Sequence, residues 1–205
     1  MMRLDSIAAQ PDRVGRHRAV FSDGTVLRLY RQTVQDFGLY EGRELTDEEY
    51  RQLQLSHGEM SAKMRAVRIV SASSVSKKDL EQRLIQKGEN PESAKNAVSW
   101  LSEMDLVDDR KTAQQVVSRC IAKGYGVARA KQMLYEKRIP KEYWEEALAD
   151  YPDQVEFIQN YVESHLPEQA NVKEIKKVVD ALLRKGHSYG MIRHVMDLQD
   201  ALEDE

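Results

Sequence analysis

The fold of this 205-residue chain is decided by a short segment that recurs three times, as LEQRLIQKG at 80–88, AKQMLYEKR at 130–138 and VVDALLRKG at 178–186. The lysines of these segments lie at intervals of 50 and 48 residues, and a leucine stands three positions before each of them. The match extends to apolar residues seven positions before the lysine and seven, ten and eleven positions after it. In segment order, the matching residues are Leu80, Ala130 and Val178; Leu84, Leu134 and Leu182; Lys87, Lys137 and Lys185; Ala94, Trp144 and Ile192; Ala97, Ala147 and Val195; and Val98, Leu148 and Met196.

The spacing of the matching residues indicates helices. Steps of four, three and one residues keep side chains on one side of an α-helix, so each unit is predicted to open with two amphipathic helices joined by a short turn. Gly88 and Gly186 directly follow the lysine, and glycine is preferred just beyond a helix C-terminus. Asn90-Pro91 and Ile139-Pro140 supply a cap or a first-turn proline for the next helix.

Further helices are predicted between these pairs, from Asp108 to about Lys123 and from Asp153 to about His165, because an aspartate suits a helix N-terminus. Each unit then contains three helices. The period exceeds that of tetratricopeptide and ankyrin repeats, and the signature residues of those repeats are absent. Three short helices bury too little apolar surface alone, so neighbouring units must cover one another. We expect an elongated, curved array with one long concave face.

The first quarter of the chain has a different pattern. Strand-like segments at 18–21 and 25–30 flank Ser22-Asp23-Gly24, which predicts one β-hairpin. Thr46 followed by Glu49 is typical of a capping box and predicts a helix that ends at about Ser56. A separate helix is predicted beyond Gly58, to about Val70.

The predicted fold class is therefore mainly all-α, with three tandem three-helix repeats and a small N-terminal β-hairpin extension. The predicted domains are the hairpin and helix extension at 1–58, the first repeat with a lead-in helix at 59–125, the second repeat at 126–168, and the third repeat with an acidic tail at 169–205. The acidic residues of the tail are Asp197, Asp200, Glu203, Asp204 and Glu205.

Composition excludes several classes of protein. Hydrophobic residues make up 41% of the chain and charged residues 32%, and no segment approaches the roughly 18 apolar residues of a membrane-spanning helix. The N-terminus lacks the apolar stretch of a signal peptide, so we expect a soluble, cytoplasmic protein. A single cysteine, Cys120, excludes an internal disulfide and a multi-cysteine metal site. It lies among apolar residues and is interpreted as a small core residue.

The formal net charge is only −3, but the charges are unevenly distributed. Cations recur on the first helix of each unit and on the linking helix, whereas acidic residues concentrate elsewhere, which indicates a dipolar surface. Such cations are commonly a solvated face or partners of helix C-terminal dipoles, so only their repetition favours a function. The predicted partner-binding residues are Lys87, Arg119, Lys123, Arg129, Lys131 and Lys137.

Motifs for catalysis are absent from the sequence. Gly124-Tyr125-Gly126 lacks the rest of a phosphate-binding loop and is interpreted as a linker between two helices. Asp108 and Asp109 point about 100° apart on a helix and are better explained as caps. The five histidines are dispersed, which favours surface positions over a metal site. We therefore expect no enzymatic activity, no metal and no cofactor.

The stretch from about 65 to 148 resembles the RecX family of bacterial regulators of the RecA recombinase. The resemblance implies three tandem three-helix repeats and a noncatalytic protein that binds RecA and its filament on single-stranded DNA. It further implies that the protein reduces the recombinase, ATPase and co-protease activities of RecA. The implied role is in homologous recombination, DNA repair and the SOS response. The matching residues are Ser76-Lys77-Lys78-Asp79-Leu80, Leu84, Lys87-Gly88, Asp105-Leu106-Val107-Asp108-Asp109, Ala113, Arg119, Lys123-Gly124-Tyr125-Gly126, Leu134 and Ala147-Leu148, with Leu182, Lys185 and Gly186 in the third unit.

Two positions depart from the family pattern. Residues 72–75 lack the basic residues that often precede the serine, which weakens an expected contact with DNA or the filament, and Thr112 replaces an aromatic residue. Two alternatives stay open beside RecA modulation. One is a helical nucleic-acid-binding module that acts without RecA, and the other is a helical scaffold for a different protein. We expect a monomer without membrane contact, and direct contact with DNA is an open question.

Overall fold

The computed structural model describes residues 1–167 and 169–196, so the acidic tail predicted from Asp197 to Glu205 lies outside the described residues. The described part is mainly helical, with a small antiparallel sheet at the N-terminus. The strands are β1 (Met2–Ile7), β2 (Arg16–Phe21), β3 (Val26–Tyr30) and β4 (Glu44–Leu45). The helices are α1 (Arg31–Asp36), α2 (Asp47–Ala72), α3 (Lys77–Gln86), α4 (Pro91–Glu103), α5 (Asp109–Ala122), α6 (Val127–Glu136), α7 (Trp144–Leu148), α8 (Gln154–His165), α9 (Val172–Arg184) and α10 (Tyr189–Met196), with a 3₁₀ turn at Lys141–Tyr143.

The sheet contains the predicted hairpin and two further strands. Its order is β3-β2-β1-β4, and the predicted hairpin is confirmed as β2 and β3. β1 and β4 were not predicted, because only Leu4 of β1 is buried and β4 has only two residues. One face of the sheet covers a core that includes Leu4, Phe21, Leu29 and Leu53. The core thus joins the sheet to the first half of α2.

α2 is one continuous helix, so the end predicted near Ser56 was wrong. The capping box at its start is confirmed, since the Thr46 hydroxyl accepts the Glu49 amide at 3.1 Å and the Glu49 carboxylate accepts the Thr46 amide at 2.7 Å. Gly58 inside a helix costs about 1 kcal/mol relative to alanine. Packing against α4 outweighs this cost, because Ala62 and Ala66 of α2 are fully buried.

The described chain divides into two compact units. The first contains Met1–Ser73 and Leu80–Leu106, and the second contains Ser74–Asp79 and the chain from Val107 onward. The division therefore falls inside α3. The first turn of α3, up to Asp79, belongs to the second unit, and the rest of α3 belongs to the first. None of the described helices combines the length and the apolarity that crossing a membrane requires.

The predicted helical repeat is confirmed by burial. Leu84, Leu134 and Leu182, three residues before each repeated lysine, are fully buried. The linking helices begin as predicted, with the Asp108 carboxylate accepting the Lys111 amide and the Asp153 carboxylate accepting the Val155 amide.

Among the described residues, two apolar cores lie in the second unit. One joins α5 and α6 to the partly buried residues of α7, and it contains Cys120, which confirms the interpretation of that cysteine as a core residue. The other joins α8, α9 and α10 around Ile158, Leu182 and Ile192. Each linking helix thus shares a core with the two helices that follow it. The domain boundaries at 58, 125 and 168 stay predictions.

Candidate partner-binding surface

The first helix of each repeat ends in the same way. The residue after the lysine has a left-handed backbone in all three cases, with φ of +88° at Gly88, +54° at Arg138 and +89° at Gly186. The predicted role of the two glycines at helix ends is confirmed. A side chain in this conformation is unfavourable by about 1–2 kcal/mol, so Arg138 carries a strain that the two glycines avoid.

Arg138 is held by an ion pair that the sequence pattern does not predict. Its guanidinium donates to the carboxylate of Asp79 at 2.9 Å, and that carboxylate is almost fully buried. Close by, the Ser76 hydroxyl donates to the carbonyl oxygen of Lys137 at 2.6 Å, and the Lys137 ammonium lies 3.5 Å from the carbonyl oxygen of Ser74. Hydrogen bonds and an ion pair therefore hold residues 74–79 against the C-terminal end of α6.

The same contact recurs one repeat later. Gly126 stands eleven residues before its repeat lysine, as Ser76 does, and its amide donates to the carbonyl oxygen of Lys185 at 2.9 Å. The Lys185 ammonium lies 3.4 Å from the carbonyl oxygen of Lys123. Gly186 takes the position of Arg138, and a Cβ on it would lie only 2.6 Å from the Cβ of Arg129. Each contact thus joins the start of one repeat helix to the end of the next.

Glycine is required at this second contact because the backbones meet closely. A Cβ on Gly126 would overlap the carbonyl group of Gly186. The predicted linker role of Gly124-Tyr125-Gly126 is confirmed, since the segment ends α5 and begins α6. Its packing against the third repeat is an additional role.

His187 lies at the same contact, and its predicted surface position was wrong. The side chain is 4% exposed, its Nε2 atom lies 3.2 Å from the carbonyl oxygen of Gly124, and its ring stacks on Phe157. Burial lowers the pKa of His187. The Lys185 ammonium lies over the rings of Phe157 and Tyr161 at 5.7 and 5.3 Å. These histidine and lysine side chains therefore have packing roles.

Asp108 and Asp109 cap different helices. The predicted capping role of Asp108 is confirmed on α5. Asp109 is buried and accepts the Lys77 amide at 2.8 Å, so it caps the start of α3. Burial raises the pKa of Asp109, whereas the hydrogen bond from Lys77 lowers it. Both carboxylates therefore accept backbone amides at helix starts.

The predicted partner-binding cations fall in both units. Lys87 lies in the first unit, at the end of α3, and is exposed. It lines a groove of about 340 Å³ with Arg65, Arg68 and Arg83. Arg65 is paired with the buried Glu89 at 2.6 Å. This groove has four cationic side chains and no carboxylate in its lining, an arrangement that suits a phosphate group.

The other five predicted residues lie in the second unit. Lys123 follows α5 and Arg129 lies in the first turn of α6. Burial raises the pKa of the Cys120 thiol, and the charges of Arg129 and Lys123 partly offset this rise. Arg119 and Lys131 are exposed on α5 and α6. Lys137 is half-buried in the contact with residues 74–79, so its main observed role is structural.

A second cationic groove was not predicted. It lies beside the C-terminal end of α6, has a volume of about 550 Å³, and is lined by Lys78, Arg138 and Lys141 together with apolar and aromatic side chains. Its cations come from three separate elements, so no single periodic pattern reveals the groove.

The strain at Arg138 predicts an inverted order of stability for two variants. Arg138→Ala and Arg138→Gly both remove the ion pair with Asp79, but only glycine relieves the left-handed strain. We expect the free energy of unfolding of the glycine variant to exceed that of the alanine variant by about 1 kcal/mol, measured by urea denaturation. A glycine variant no more stable than the alanine variant would show that the backbone at this position is not strained.

A family model and individual relatives both indicate similarity to RecX proteins. Residues 108–148, which span α5 to α7, match the model of the second three-helix domain of RecX. The chain is 30% identical to the regulatory protein RecX of Caldanaerobacter subterraneus over 162 residues, covering 77% of this chain and 82% of the relative. It is also 30% identical to the regulatory protein RecX of Chlorobaculum tepidum over 142 residues, covering 67% of this chain and 88% of the relative.

Solved structures share the fold. A crystal structure of a regulatory protein RecX has a TM-score of 0.65 at 21% identity and covers 96% of this chain and 100% of its own. A second, of RecX from Lactobacillus salivarius, has a TM-score of 0.59 at 22% identity and covers 69% of this chain and 96% of its own.

The fold and the repeated contacts define a helical-repeat protein with basic grooves on its surface. The sequence identities to the two relatives, together with the share of the chain that they cover, also establish the family. The chain belongs to the RecX family of regulatory proteins.

Proposed function

We propose that the chain binds RecA and its filament on single-stranded DNA and inhibits its recombinase, ATPase and co-protease activities. The observation that carries the proposal is the 30% identity to regulatory RecX proteins over most of their length. The protein would act as a cytoplasmic monomer, within DNA repair, homologous recombination and the SOS response.

A regulator of this kind needs no chemistry of its own. A ligand shifts an equilibrium only by the difference between its affinities for the two states, so the chain must bind the filament state of RecA differently from free RecA. Exposed cations contribute about 0.2–1 kcal/mol each, and several together give useful affinity. The proposed contacts are Lys87, Arg119, Lys123, Arg129 and Lys131, with Lys137 serving partly as a structural residue.

The test is to titrate the full chain into RecA filaments on single-stranded DNA and to follow ATP hydrolysis. We expect inhibition, and we expect the double variant Arg119→Gln with Lys131→Gln to need about 2 to 30 times more protein for half-inhibition, because two lost contacts amount to about 0.4–2 kcal/mol. Both side chains are exposed, so the fold should be retained.

The matched control removes two other exposed lysines, Lys95 and Lys111. We expect this double variant to inhibit as the parent does. Unchanged ATP hydrolysis at saturating parent protein would contradict the proposed function. Equal loss in both double variants would contradict the proposed residues and indicate an effect of net charge alone.

The groove lined by Arg65, Arg68, Arg83 and Lys87 favours a second candidate, a nucleic-acid-binding module that acts without RecA. Its affinity for DNA would fall steeply with salt, because bound phosphates release counterions. Fluorescence anisotropy at two ionic strengths, with and without RecA, separates the two candidates. Tight DNA binding that RecA does not alter would favour the second.

A further inference from the structure

The outer strand of the N-terminal sheet has one side without a strand partner. Among the described residues the sheet order is β3-β2-β1-β4, so β3 pairs with β2 alone. The first half of β3 is open to solvent, since Val26 is 44% exposed and Arg28 is also exposed. We name the unpaired side of residues 26–28 the β3 edge. None of the RecA contacts proposed above lies in this sheet.

The backbone groups of Val26 and Arg28 point toward the β3 edge. The Phe21 amide donates to the carbonyl oxygen of Thr25 at 2.9 Å, which makes these two residues a hydrogen-bonded pair. In an antiparallel ladder such pairs alternate with pairs that exchange no hydrogen bonds. Val26 and Arg28 fall in the second kind, so their amides and carbonyl oxygens are directed away from β2. An extended peptide can bind such groups as an added strand.

The solvent-facing side of these strands carries two arginines without carboxylate partners. Arg18 of β2 and Arg28 of β3 stand directly opposite each other in the register, and both are exposed. Neither guanidinium forms an ion pair within the part of the chain that the structure describes. Like charges at opposite positions of a sheet repel each other. An acidic group placed beside Arg28 would therefore offset this repulsion.

The nearest carboxylate does not neutralise these arginines. Asp12 lines a groove of about 250 Å³ together with Arg16, Arg18 and Arg28. Its carboxylate lies 2.8 Å from the Arg16 guanidinium and also accepts the amides of Val14 and Arg16, each at 3.0 Å. Since Asp12 is occupied by Arg16, the groove beside the β3 edge keeps a net positive charge.

We propose that the β3 edge binds an extended, acidic segment of a partner protein, which adds a fifth strand to the sheet and places carboxylates beside Arg28 and Arg18. In this mode of recognition, main-chain hydrogen bonds supply the affinity and alternate side chains supply the specificity.

Other occupants fit the β3 edge less well. A second copy of this chain would bring the arginines of both copies together, which is how exposed edge strands commonly avoid pairing with themselves. A nucleic acid would satisfy the arginines, but its phosphates cannot donate to the outward carbonyl oxygens. The groove beside the edge also has no aromatic side chain among its described lining residues on which a base could stack.

The inference goes beyond the proposed function and is tested without RecA. Anisotropy is measured for a fluorescein-labelled peptide of alternating glutamate and valine, titrated with the full chain. The control peptide has proline in place of each valine, so it keeps the charge but loses amide donors and strand geometry. We expect saturable binding of the glutamate–valine peptide, and binding of the control peptide weaker by about tenfold or more.

The backbone contribution is tested at Val26. Val26→Pro removes an outward amide and spares the ladder with β2, so we expect it to weaken peptide binding by about threefold or more. Val26→Ala keeps the amide and is the matched control, which should bind more tightly than the proline variant. Urea denaturation checks that both variants are folded.

The charge contribution is tested at the arginine pair. Arg18→Gln with Arg28→Gln should weaken peptide binding by about 2 to 30 times. The matched control removes two exposed arginines of the second unit, Arg184→Gln with Arg193→Gln, and should bind as the parent does.

Hydrogen exchange locates the bound peptide, because the amides of Val26 and Arg28 should exchange more slowly when the peptide is present. Equal binding of the two peptides, an unchanged affinity of the Arg18 and Arg28 double variant, or unchanged exchange at both amides would overturn the inference. Binding of oligo(dT) that this double variant loses, without binding of the glutamate–valine peptide, would assign the face to nucleic acid and also overturn it. If the peptide binds as expected while RecA hydrolysis is unaffected, the inference stands and the proposed function fails.

Discussion

Replacing Gly126 with alanine should lower the free energy of unfolding by about 2–4 kcal/mol, in urea denaturation followed by circular dichroism. The added methyl group would overlap the carbonyl group of Gly186, and backbone atoms cannot move aside as a flexible side chain can. The shift would also weaken the hydrogen bond from the Gly126 amide to the carbonyl oxygen of Lys185.

The control for this variant is Gly190→Ala. Gly190 lies in α10, and a Cβ there would meet no atom within 4 Å. Alanine is the better helix former, so this variant should be as stable as the parent or slightly more stable. Equal stability of the Gly126 and Gly190 variants would show that the contact between Gly126 and Gly186 is not tightly packed.

Replacing Leu182 with alanine should lower the free energy of unfolding by about 2–5 kcal/mol. Leu182 is 0% exposed and lies in the core shared by α8, α9 and α10, so its truncation leaves a cavity. The neighbouring Leu183 is 41% exposed, and Leu183→Ala should change the stability by about 0.5 kcal/mol or less.

This pair of variants tests the register of the repeat. Leu182 occupies the repeat position of Leu84 and Leu134, and Leu183 does not. A larger effect at Leu183 than at Leu182, measured by the same urea denaturation, would contradict the assignment of the third repeat.

The helical repeat could be predicted because residues close together in the sequence determine the faces and the starts of its helices. Helix faces follow from spacings of three and four residues, and the helix starts follow from a capping side chain two or three residues away. The strands β1 and β4 could not be predicted in this way, since β1 has one buried residue and pairs with distant segments.

The contacts between successive repeat helices could not be predicted from the sequence either. Ser76 and Lys137 are 61 residues apart, and their hydrogen bond depends on how helices pack. The two contacts are held together differently at equivalent positions. Asp79 pairs with Arg138 in one, and the backbones of Gly126 and Gly186 meet closely in the other. A comparison of the repeat sequences therefore does not predict either contact. The sequence signal for this difference is Arg138, where the other two repeats have glycine.

We propose that this chain recognises RecA assembled on DNA. The most direct measurement is equilibrium binding of the full chain to immobilised RecA filaments on single-stranded DNA, compared with free RecA and with the same DNA alone. We expect tighter binding to the filament than to either component. Equal affinity for the filament and bare DNA, or no binding to the filament, would contradict it.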